Sequence, residues 1–258
     1  MSGLPRLAPR EFGDVTRWSS LLRRYGLAVA PAWVTGGRLD LLLEEHRRAF
    51  ASAVPRDTTA ARMPDAQTGQ GVGEVAYRPG LSSRALRLTT AAADAFPATQ
   101  SFLRHSTLAA VAAAHLGEDA SVNRFAYLTY DVAHDTPVTQ LHYDRKHALK
   151  AYVCLTPALP EFGAPAFVPG SHDRSRKIRE AHLAAGVPQD RLPITHGHHG
   201  HTPQSVTGPA GTLVLFDTDC LHQGGTVSAG NTRRVLRGHS HPAPRTRPDA
   251  PDSQDRSR

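Results

Sequence analysis

Four residues in the second half of the sequence could together bind a metal ion and an organic acid. They are His142 and Asp144 in QLHYD, His222 in DTDCLHQGG, and Arg233 in NTRRVL. Two imidazoles and one carboxylate form the ligand set with which proteins hold iron(II) while leaving coordination positions open. A guanidinium binds a carboxylate with bidentate geometry, as a dicarboxylate cosubstrate requires. The four residues suggest the hypothesis of an iron-dependent oxygenase.

The spacing of His142 and Asp144 permits chelation of one ion if the segment is an extended strand. In a strand, residues i and i+2 point to the same face, so both side chains could reach the ion while Tyr143 points away. The apolar and polar pattern of PVTQLHYD and LKAYVCLTP predicts two such strands. The tripeptide alone does not identify a metal site, because a chain with 15 histidines is expected to contain such a match by chance.

The third ligand must come from a distant segment that folds back beside the first. In GPAGTLVLFDTDCLHQGG, a turn, an apolar strand and a short acidic link lead to His222. A closed β-barrel could place this residue opposite His142. Other histidines could compete for the role, and each alone is expected to be structural: His147, His172, His239 and His241. His46 is expected to lie on a helix face rather than to bind a metal.

The segment THGHHGHT also invites a metal-binding interpretation, because His196, His198, His199 and His201 are close together. Metal sites need ligands held at fixed angles by rigid elements, which a loop punctuated by glycine does not provide. We therefore expect a solvated loop, and we expect any nickel or zinc binding by it to be adventitious.

Arg233 lies 11 residues after His222 at the start of RRVLRGHS. Strand alternation would put Arg233 and Arg237 on one face and Arg234 on the other. An arginine directed into a barrel is a costly buried charge unless it meets a carboxylate, and the C5 carboxylate of 2-oxoglutarate would supply one. Chemistry alone permits either Arg233 or Arg234 in this role, and both could instead be surface residues on an edge strand.

The elements that must position these residues follow from periodicity. Two segments before residue 51 have apolar residues at helical spacing, and LAVAPAWV between them predicts a strand. The alanine-rich segment from about 97 to 116 predicts one further helix that ends at Gly117. From residue 121 onward, short apolar runs bounded by proline, glycine and aspartate predict a β domain. A charged segment, SRKIREAHLAAG, interrupts it and could be helical.

Residues 55 to 83 form a glycine-rich polar stretch that is too long to be a simple connection. Such a loop could cover an active site, or it could be a flexible insertion without a role. We expect one domain over residues 1–242, with a helix-rich part at 10–118 and a β core at 121–241. The polar composition of residues 243–258 predicts a disordered tail.

Composition limits the partners. The net charge is +7, but the basic residues are scattered rather than clustered with aromatic residues, so no nucleic-acid partner is expected. No apolar run is long enough for a signal peptide or a membrane span, so we expect no membrane partner and a cytoplasmic location. Cys154 and Cys220 lie in apolar runs and are expected to be buried free thiols.

The motifs QLHYD, EFGAPAFVPGSH, GPAGTLVLFDTDCLHQGG and NTRRVL, taken together, resemble the phytanoyl-coenzyme A dioxygenase family of iron(II)- and 2-oxoglutarate-dependent oxygenases. The similarity covers most of residues 121 to 241. It implies a mainly β fold with flanking helices, in which the core is a double-stranded β-helix, or jelly roll. It also implies that His142, Asp144 and His222 bind iron and that Arg233 anchors 2-oxoglutarate.

The resemblance adds some detail. Gln140, on the same face as His142, and Thr129, on the preceding strand, are further candidates for cosubstrate contacts. His172 in PAFVPGSH is expected to be structural. The family commonly has an asparagine-glycine pair where this chain has Phe162 and Gly163, so the turn there could differ.

The resemblance implies iron(II), 2-oxoglutarate and O₂ as cofactor and cosubstrates, and a small-molecule substrate. Asp144 argues against halogenation, because related halogenases have a small residue at that place to admit chloride. Hydroxylation is the default reaction, while desaturation, epoxidation and oxidative cyclisation use the same oxidant. The abundance of arginine, alanine, glycine and proline suggests a GC-rich genome. With the family's use in bacterial natural-product pathways, this predicts a small metabolite, such as a sugar-containing antibiotic precursor.

Two other classes of function remain open at this point. A jelly-roll metal protein could use the same histidines and aspartate for hydrolysis or isomerisation without 2-oxoglutarate, and it would have no use for Arg233. A noncatalytic binding module could retain the barrel without the chemistry, but it would not need the intact ligand set.

Overall fold

The computed structural model describes residues 3–52, 55–57, 75–78, 83–88, 95–122, 126–133, 140–195 and 200–243. The helices are α1 (Val15–Tyr25), α2 (Gly37–Ser52), α3 (Pro97–Leu103), α4 (Ser106–Leu116) and α5 (His172–Ala184), with 3-10 turns at Pro9–Glu11 and Gln189–Arg191. The strands are β1 (Leu27–Ala30), β2 (Pro55–Asp57), β3 (Val75–Arg78), β4 (Ser83–Leu88), β5 (Ala126–Val132), β6 (Leu149–Cys154), β7 (Ala166–Phe167), β8 (Gln204–Ser205), β9 (Thr212–Asp217), β10 (His222–Gln223) and β11 (Thr232–Ser240).

Eight strands form the larger sheet, in the order β1-β9-β6-β11-β5-β4-β3-β2. Neighbouring strands are antiparallel except for β2 and β3, which are parallel. Strand β9 lies between β1 and β6, and all six of its residues are buried. A strand covered on both faces needs no polar alternation, which explains the continuous apolar run TLVLF.

Three short strands form the smaller sheet, in the order β10-β7-β8, and an isolated bridge to His222 adds His142 at its edge. The sheets meet where the rings of Phe167 and Phe216 lie 4.9 Å apart, within a cluster of buried apolar side chains. Two facing antiparallel sheets with helices outside are the jelly-roll architecture, so the predicted fold is confirmed.

Helices cover the other face of the larger sheet. Helix α1 begins at Asp14, whose carboxylate accepts the Arg17 N–H at 2.9 Å, and it ends at Gly26 with φ +74°. Its buried Trp18 belongs to an apolar cluster that includes Leu86, Leu128 and Leu236 from the sheet. This cluster covers the face of the larger sheet that packs against the helices. The candidate site lies on the opposite face, which faces the smaller sheet.

Gly26, at the end of α1, allows the start of α5 to pack closely against it. A Cβ atom on Gly26 would lie 2.7 Å from the ring of His172, the first residue of α5. His172 is buried against this turn, and its Nε2 lies 3.2 Å from the carbonyl oxygen of Arg23. The environment agrees with the structural role expected for His172.

The single helix predicted from about 97 to 116 is wrong, because the segment contains two helices, α3 and α4. The chain is extended at His105, where ψ is 123°. The His105 ring packs on Trp33 with the ring centroids 4.7 Å apart, and the main-chain N–H of His105 donates to the carbonyl of Phe102. Alanine-rich composition favours helix, but this packing decides where the helix stops.

The strand predicted over PVTQLHYD is also wrong for the residues that the structure describes. Residues 134–139 lie outside them, and between Gln140 and Ala148 the chain makes one isolated bridge, at His142. A strand that the sequence did not predict, β4, pairs with β5 and brings the helix-rich part into the larger sheet.

Several expectations fall outside the described residues: those for His196, His198 and His199, for the tail beyond residue 243, and for most of the 55–83 stretch, of which β2 and β3 are described. Cys154 and Cys220 are buried free thiols, as predicted. Among the described helices, none has the length and apolar character needed to cross a membrane.

Candidate metal centre and cosubstrate cavity

His142, Asp144 and His222 converge at one end of the space between the two sheets. The Oδ1 atom of Asp144 lies 3.6 Å from Nε2 of His142 and 3.7 Å from Nε2 of His222. The two imidazole ring centroids are 4.4 Å apart. Ligand atoms about 2.1 Å from a common ion would lie about 3 Å from one another, so only a small closure is needed to bind one.

Main-chain hydrogen bonds, rather than strand alternation, bring these ligands together. The N–H of His142 donates to the carbonyl of His222 at 3.0 Å, and the N–H of His222 donates back at 2.8 Å. The N–H of Asp144 donates to the carbonyl of Thr218 at 2.9 Å. The three ligands are therefore tied to each other through the backbone of two segments distant in sequence.

Hydrogen bonds also set the tautomer of each histidine. Nδ1 of His142 lies 2.7 Å from the Gln140 carbonyl oxygen, and Nδ1 of His222 lies 2.8 Å from the Cys220 carbonyl oxygen. A carbonyl oxygen only accepts, so each Nδ1 carries the proton and each Nε2 presents a lone pair. This is the arrangement that metal-binding histidines adopt, and it fits a divalent ion on the Nε2 side.

Lys150 of β6 lies beside the same carboxylate, with its Nζ 2.5 Å from Oδ2 of Asp144. Burial alone would raise the pKa of Asp144, but Lys150, His222 and His142 together outweigh it and hold this pKa well below its usual range. Burial lowers the pKa of His222 to about 3. At neutral pH the site thus contains an ionised carboxylate and a neutral His222, which are the protonation states that bind a metal ion.

A cavity of about 210 Å³ opens beside the three ligands. Its walls are formed by Ala85, Thr129, His142, Asp144, Lys150, Tyr152, Pro165, Phe167, Phe216, His222, Gln223, Gly224, Arg233 and Arg237. Phenylalanines from both sheets pack around the His222 ring, with centroid distances of 5.0 Å to Phe216 and 6.1 Å to Phe167. The ligands thus stand in a partly apolar, partly cationic pocket.

Arg233 lies in the cavity wall and is 6% exposed. Its Nε donates to Oδ2 of the fully buried Asp131 at 2.7 Å, and its Nη1 donates to the carbonyl oxygen of Gly163. Among the described residues, none accepts a hydrogen bond from Nη2. Arg233 is therefore held rigidly on one side while part of its guanidinium remains available to a ligand in the cavity.

The alternation predicted for β11 is confirmed. Arg233 and Arg237 line the cavity, whereas Leu236 belongs to the core under the helices. The guanidinium of Arg234 lies on that opposite face, 4.2 Å from the centroid of the Tyr130 ring, and its Nη1 is 3.2 Å from Nδ1 of His46. Arg233 therefore lies in the cavity wall and Arg234 lies on the other face of the sheet, a difference that side-chain chemistry alone does not reveal.

The two further cosubstrate candidates are placed differently. Thr129 lines the cavity, and its buried Oγ1 has no hydrogen-bond partner in the described part of the chain. The Gln140 side chain is exposed and is not part of the cavity wall, and its carbonyl oxygen contacts His142 instead.

Sequence reasoning missed Lys150 and Tyr152, which also line the cavity. They are two residues apart in LKAYVC and share a face of β6. A signal was present, because a lysine in an otherwise apolar strand is costly unless it meets a carboxylate.

The fold and the site define a jelly-roll oxygenase that depends on iron(II) and 2-oxoglutarate. The chain belongs to the phytanoyl-CoA dioxygenase (PhyH) family, which it matches over residues 22–235, and the predicted resemblance is confirmed. Enzymes of this family use iron(II), 2-oxoglutarate and O₂. No curated protein sequence matches the chain significantly.

Similar solved structures include the non-heme alpha ketoglutarate dependent epimerase SnoN from nogalamycin biosynthesis, with 20% identity over 89% of this chain and 83% of that chain and a TM-score of 0.60. The carbocyclase SnoK from nogalamycin biosynthesis is 16% identical over 88% of this chain and 83% of that chain, with a TM-score of 0.62. EctD from S. alaskensis with bound Fe is 18% identical over 93% of this chain and 84% of that chain, with a TM-score of 0.62. At these identities the likeness shows a shared fold.

Proposed function

We propose that His142, Asp144 and His222 hold iron(II) and that Arg233 binds the C5 carboxylate of 2-oxoglutarate in the adjoining cavity. The observation that carries this proposal is the buried guanidinium of Arg233 in the wall of the cavity that contains the three ligands. Asp131 fixes the orientation of this guanidinium by accepting the hydrogen bond from Nε, and Nη2 would bind the C5 carboxylate. A hydrolase or isomerase that works without 2-oxoglutarate would have no use for it.

Two hydroxyl groups complete the proposed cosubstrate site. Thr129 Oγ1 lacks a hydrogen-bond partner among the described residues and would gain one from a bound carboxylate. Tyr152 lines the same cavity, and burial raises the pKa of its phenol well above the usual range. It therefore stays protonated and can donate a hydrogen bond. Both residues would bind 2-oxoglutarate without competing with Arg233.

The residues of this chain would position the reactants and exclude water from them. Iron, when bound, supplies the oxidising chemistry through O₂ and the decarboxylation of 2-oxoglutarate. Phe167 and Phe216 shield the His222 ring from solvent, and Lys150 keeps the outer oxygen of Asp144 occupied. The carboxylate thus presents one oxygen towards the histidines.

We further propose that the substrate is a small metabolite of bacterial natural-product biosynthesis, with a sugar-containing antibiotic precursor as the first candidate. Two similar structures, SnoN and SnoK, come from nogalamycin biosynthesis, which supports this choice. Among the described residues of the cavity wall, Lys150, Arg233 and Arg237 outnumber the single carboxylate of Asp144. This charge favours an oxygen-rich or anionic molecule over a cationic one.

Hydroxylation is the reaction that we propose first, with desaturation, epoxidation or oxidative cyclisation as other outcomes of the same chemistry. Both described cysteines are free thiols, which is typical of reducing compartments and supports the cytoplasm as the proposed location.

Turnover tests this function. The protein would be loaded with iron(II) under argon, mixed with 2-oxoglutarate and a panel of glycosylated and simple metabolites, and exposed to oxygen while succinate is measured. We expect succinate formation that depends on both iron and 2-oxoglutarate and that rises with the right substrate. Iron binding without any succinate across the panel, including the slow uncoupled reaction, would favour a hydrolase or isomerase instead.

A further inference from the structure

The segment Asp217–Thr218–Asp219 lies between the two parts of the chain that supply the proposed metal ligands. Thr218 makes four hydrogen bonds to residues 143–148, which we call the Asp144 loop. Its carbonyl accepts the N–H of Asp144 at 2.9 Å, and its N–H donates to the carbonyl of Ala148 at 2.9 Å. Its Oγ1 accepts the N–H of Ala148 at 2.8 Å and donates to the carbonyl of Lys146 at 2.9 Å. The Asp144 loop is thus wrapped around one buried threonine.

The two flanking carboxylates are fully buried and face four basic side chains. Nδ1 of His147 lies 3.0 Å from Oδ2 of Asp219 and 3.4 Å from Oδ1 of Asp217. Arg176 contacts both carboxylates, at 2.6 Å to Asp217 and 3.1 Å to Asp219. The other two contacts are Arg179 with Asp219, and His115 with Asp217 at 2.9 Å. These ion pairs join helices α4 and α5 to the Asp217–Asp219 segment, and His147 joins the Asp144 loop to the same two carboxylates.

This cluster has donor atoms of the kinds that bind metals, since His147, Asp217 and Asp219 each offer one within 4.8 Å of the others. Arg176 and Arg179 already bind the carboxylate oxygens that an ion would need. Two guanidinium groups also repel a divalent cation at this distance. The cluster is therefore a closed network of ion pairs, and we assign no metal to it.

We infer that Asp217, Thr218 and Asp219 are positioning residues that set the separation of Asp144 from His222 before iron binds. The inference rests on the metal site proposed above. His222 follows this segment closely, and the intervening Leu221 N–H donates to Ser171 Oγ at 2.8 Å, which fixes the approach. Within the described part of the chain, the Asp144 loop pairs with no strand beyond the His142 bridge, so Thr218 supplies the contacts that a sheet would otherwise supply.

Replacement of Thr218 by valine tests the role of its hydroxyl at nearly constant shape. Thr212→Val is the matched control, because Thr212 is equally buried on β9 but its hydroxyl donates to the Pro209 carbonyl, at the far end of the strand. Iron(II) affinity would be measured by competition with a chelator, together with the absorption of the iron and 2-oxoglutarate complex and thermal unfolding without metal.

We expect Thr218→Val to weaken iron binding by about 10- to 100-fold and to shift the absorption band, as is typical when a group that orients metal ligands is lost. Thr218→Ser should restore both, and Thr212→Val should leave both unchanged. A folded Thr218→Val protein with the iron affinity and absorption of the parent would overturn the inference. The inference would also be overturned if the parent protein bound a second equivalent of iron and Asp219→Asn did not.

If Thr218→Val does not fold, Arg176→Gln provides the same test from the more exposed edge of the network, since the Arg176 side chain is 31% exposed. Unchanged iron affinity in that folded variant would overturn the inference, and weakened affinity would support it. Failure of the parent protein to bind iron would instead contradict the proposed metal site, so the two failures are distinguishable.

Discussion

Lys150 and Asp144 form an ion pair at the candidate metal centre, with 2.5 Å between Nζ and Oδ2, while the other carboxylate oxygen faces the two histidines. The two oxygens of one carboxylate are thus assigned to different partners. This division explains how a lysine can lie beside a cation site, because it contacts the oxygen that does not face the histidines and helps to lower the pKa of the carboxyl group.

Loss of the hydrogen bond by which Lys150 orients Asp144 should therefore weaken iron binding. In Lys150→Met the outer oxygen of Asp144 is no longer held, and the pKa of Asp144 should rise towards its ordinary value. We expect iron(II) affinity at pH 7 to fall by about tenfold. Chelator competition measures this, with Lys177→Met on α5 as the control. Equal affinity in the parent and in Lys150→Met would show that the ion pair does not orient the ligand.

Arg233 and Arg234 provide a matched pair for the cosubstrate site. Arg233→Lys keeps a charge beside Asp131 but loses the planar donor array, so 2-oxoglutarate affinity should fall by at least about tenfold while iron affinity is retained. Arg234→Lys changes a side chain on the other face, against Tyr130, and should leave 2-oxoglutarate affinity unchanged. Equal losses in the two variants would show that the site was assigned to the wrong residue.

Thr129→Val separates a binding role from a structural one. The buried hydroxyl has no partner among the described residues, so its removal should not lower the unfolding temperature of the protein without 2-oxoglutarate. The dissociation constant for 2-oxoglutarate should rise about fivefold, which corresponds to about 1 kcal/mol for one hydrogen bond. Reduced stability with unchanged 2-oxoglutarate binding would contradict the proposed contact.

The ion-pair network predicts a dependence of stability on pH. Burial opposes the charge of His147, but the adjacent carboxylates of Asp217 and Asp219 raise its pKa to about 9. A raised pKa in the folded protein contributes stability that is complete below the unfolded value of about 6.5 and is lost as the pH rises through 9. Urea unfolding between pH 6.5 and 9.5 should show a larger decline in the parent than in His147→Gln. Parallel declines would contradict the raised pKa.

Much of the site could be predicted from the sequence, because residue type and spacing restrict which side chains can meet. The ligand chemistry of His142, Asp144 and His222 predicts that they meet, and the structure brings them together. The strand predicted around the first two is wrong, since the described chain there is a loop tied to Thr218. The motif thus predicted the contact without predicting the backbone that makes it.

Long-range packing accounts for what the sequence did not indicate. The lysine in β6 indicates a carboxylate partner without showing that it is Asp144, and nothing local shows that Asp131 is the partner of Arg233, because each pair joins different segments. The helix break at His105 depends in the same way on Trp33. The continuous apolar run predicted β9 correctly and alternation predicted the two faces of β11, since both patterns reflect burial on the faces of a sheet.

The proposed iron and 2-oxoglutarate site is tested most directly by an anaerobic titration of the metal-free protein with iron(II) in the presence of 2-oxoglutarate, followed by visible absorption. We expect one equivalent of iron and a charge-transfer band that is lost in His142→Ala and in His222→Ala and that requires more 2-oxoglutarate in Arg233→Lys. Stoichiometric iron binding without such a band, or a band that survives both histidine replacements, would contradict the proposed site.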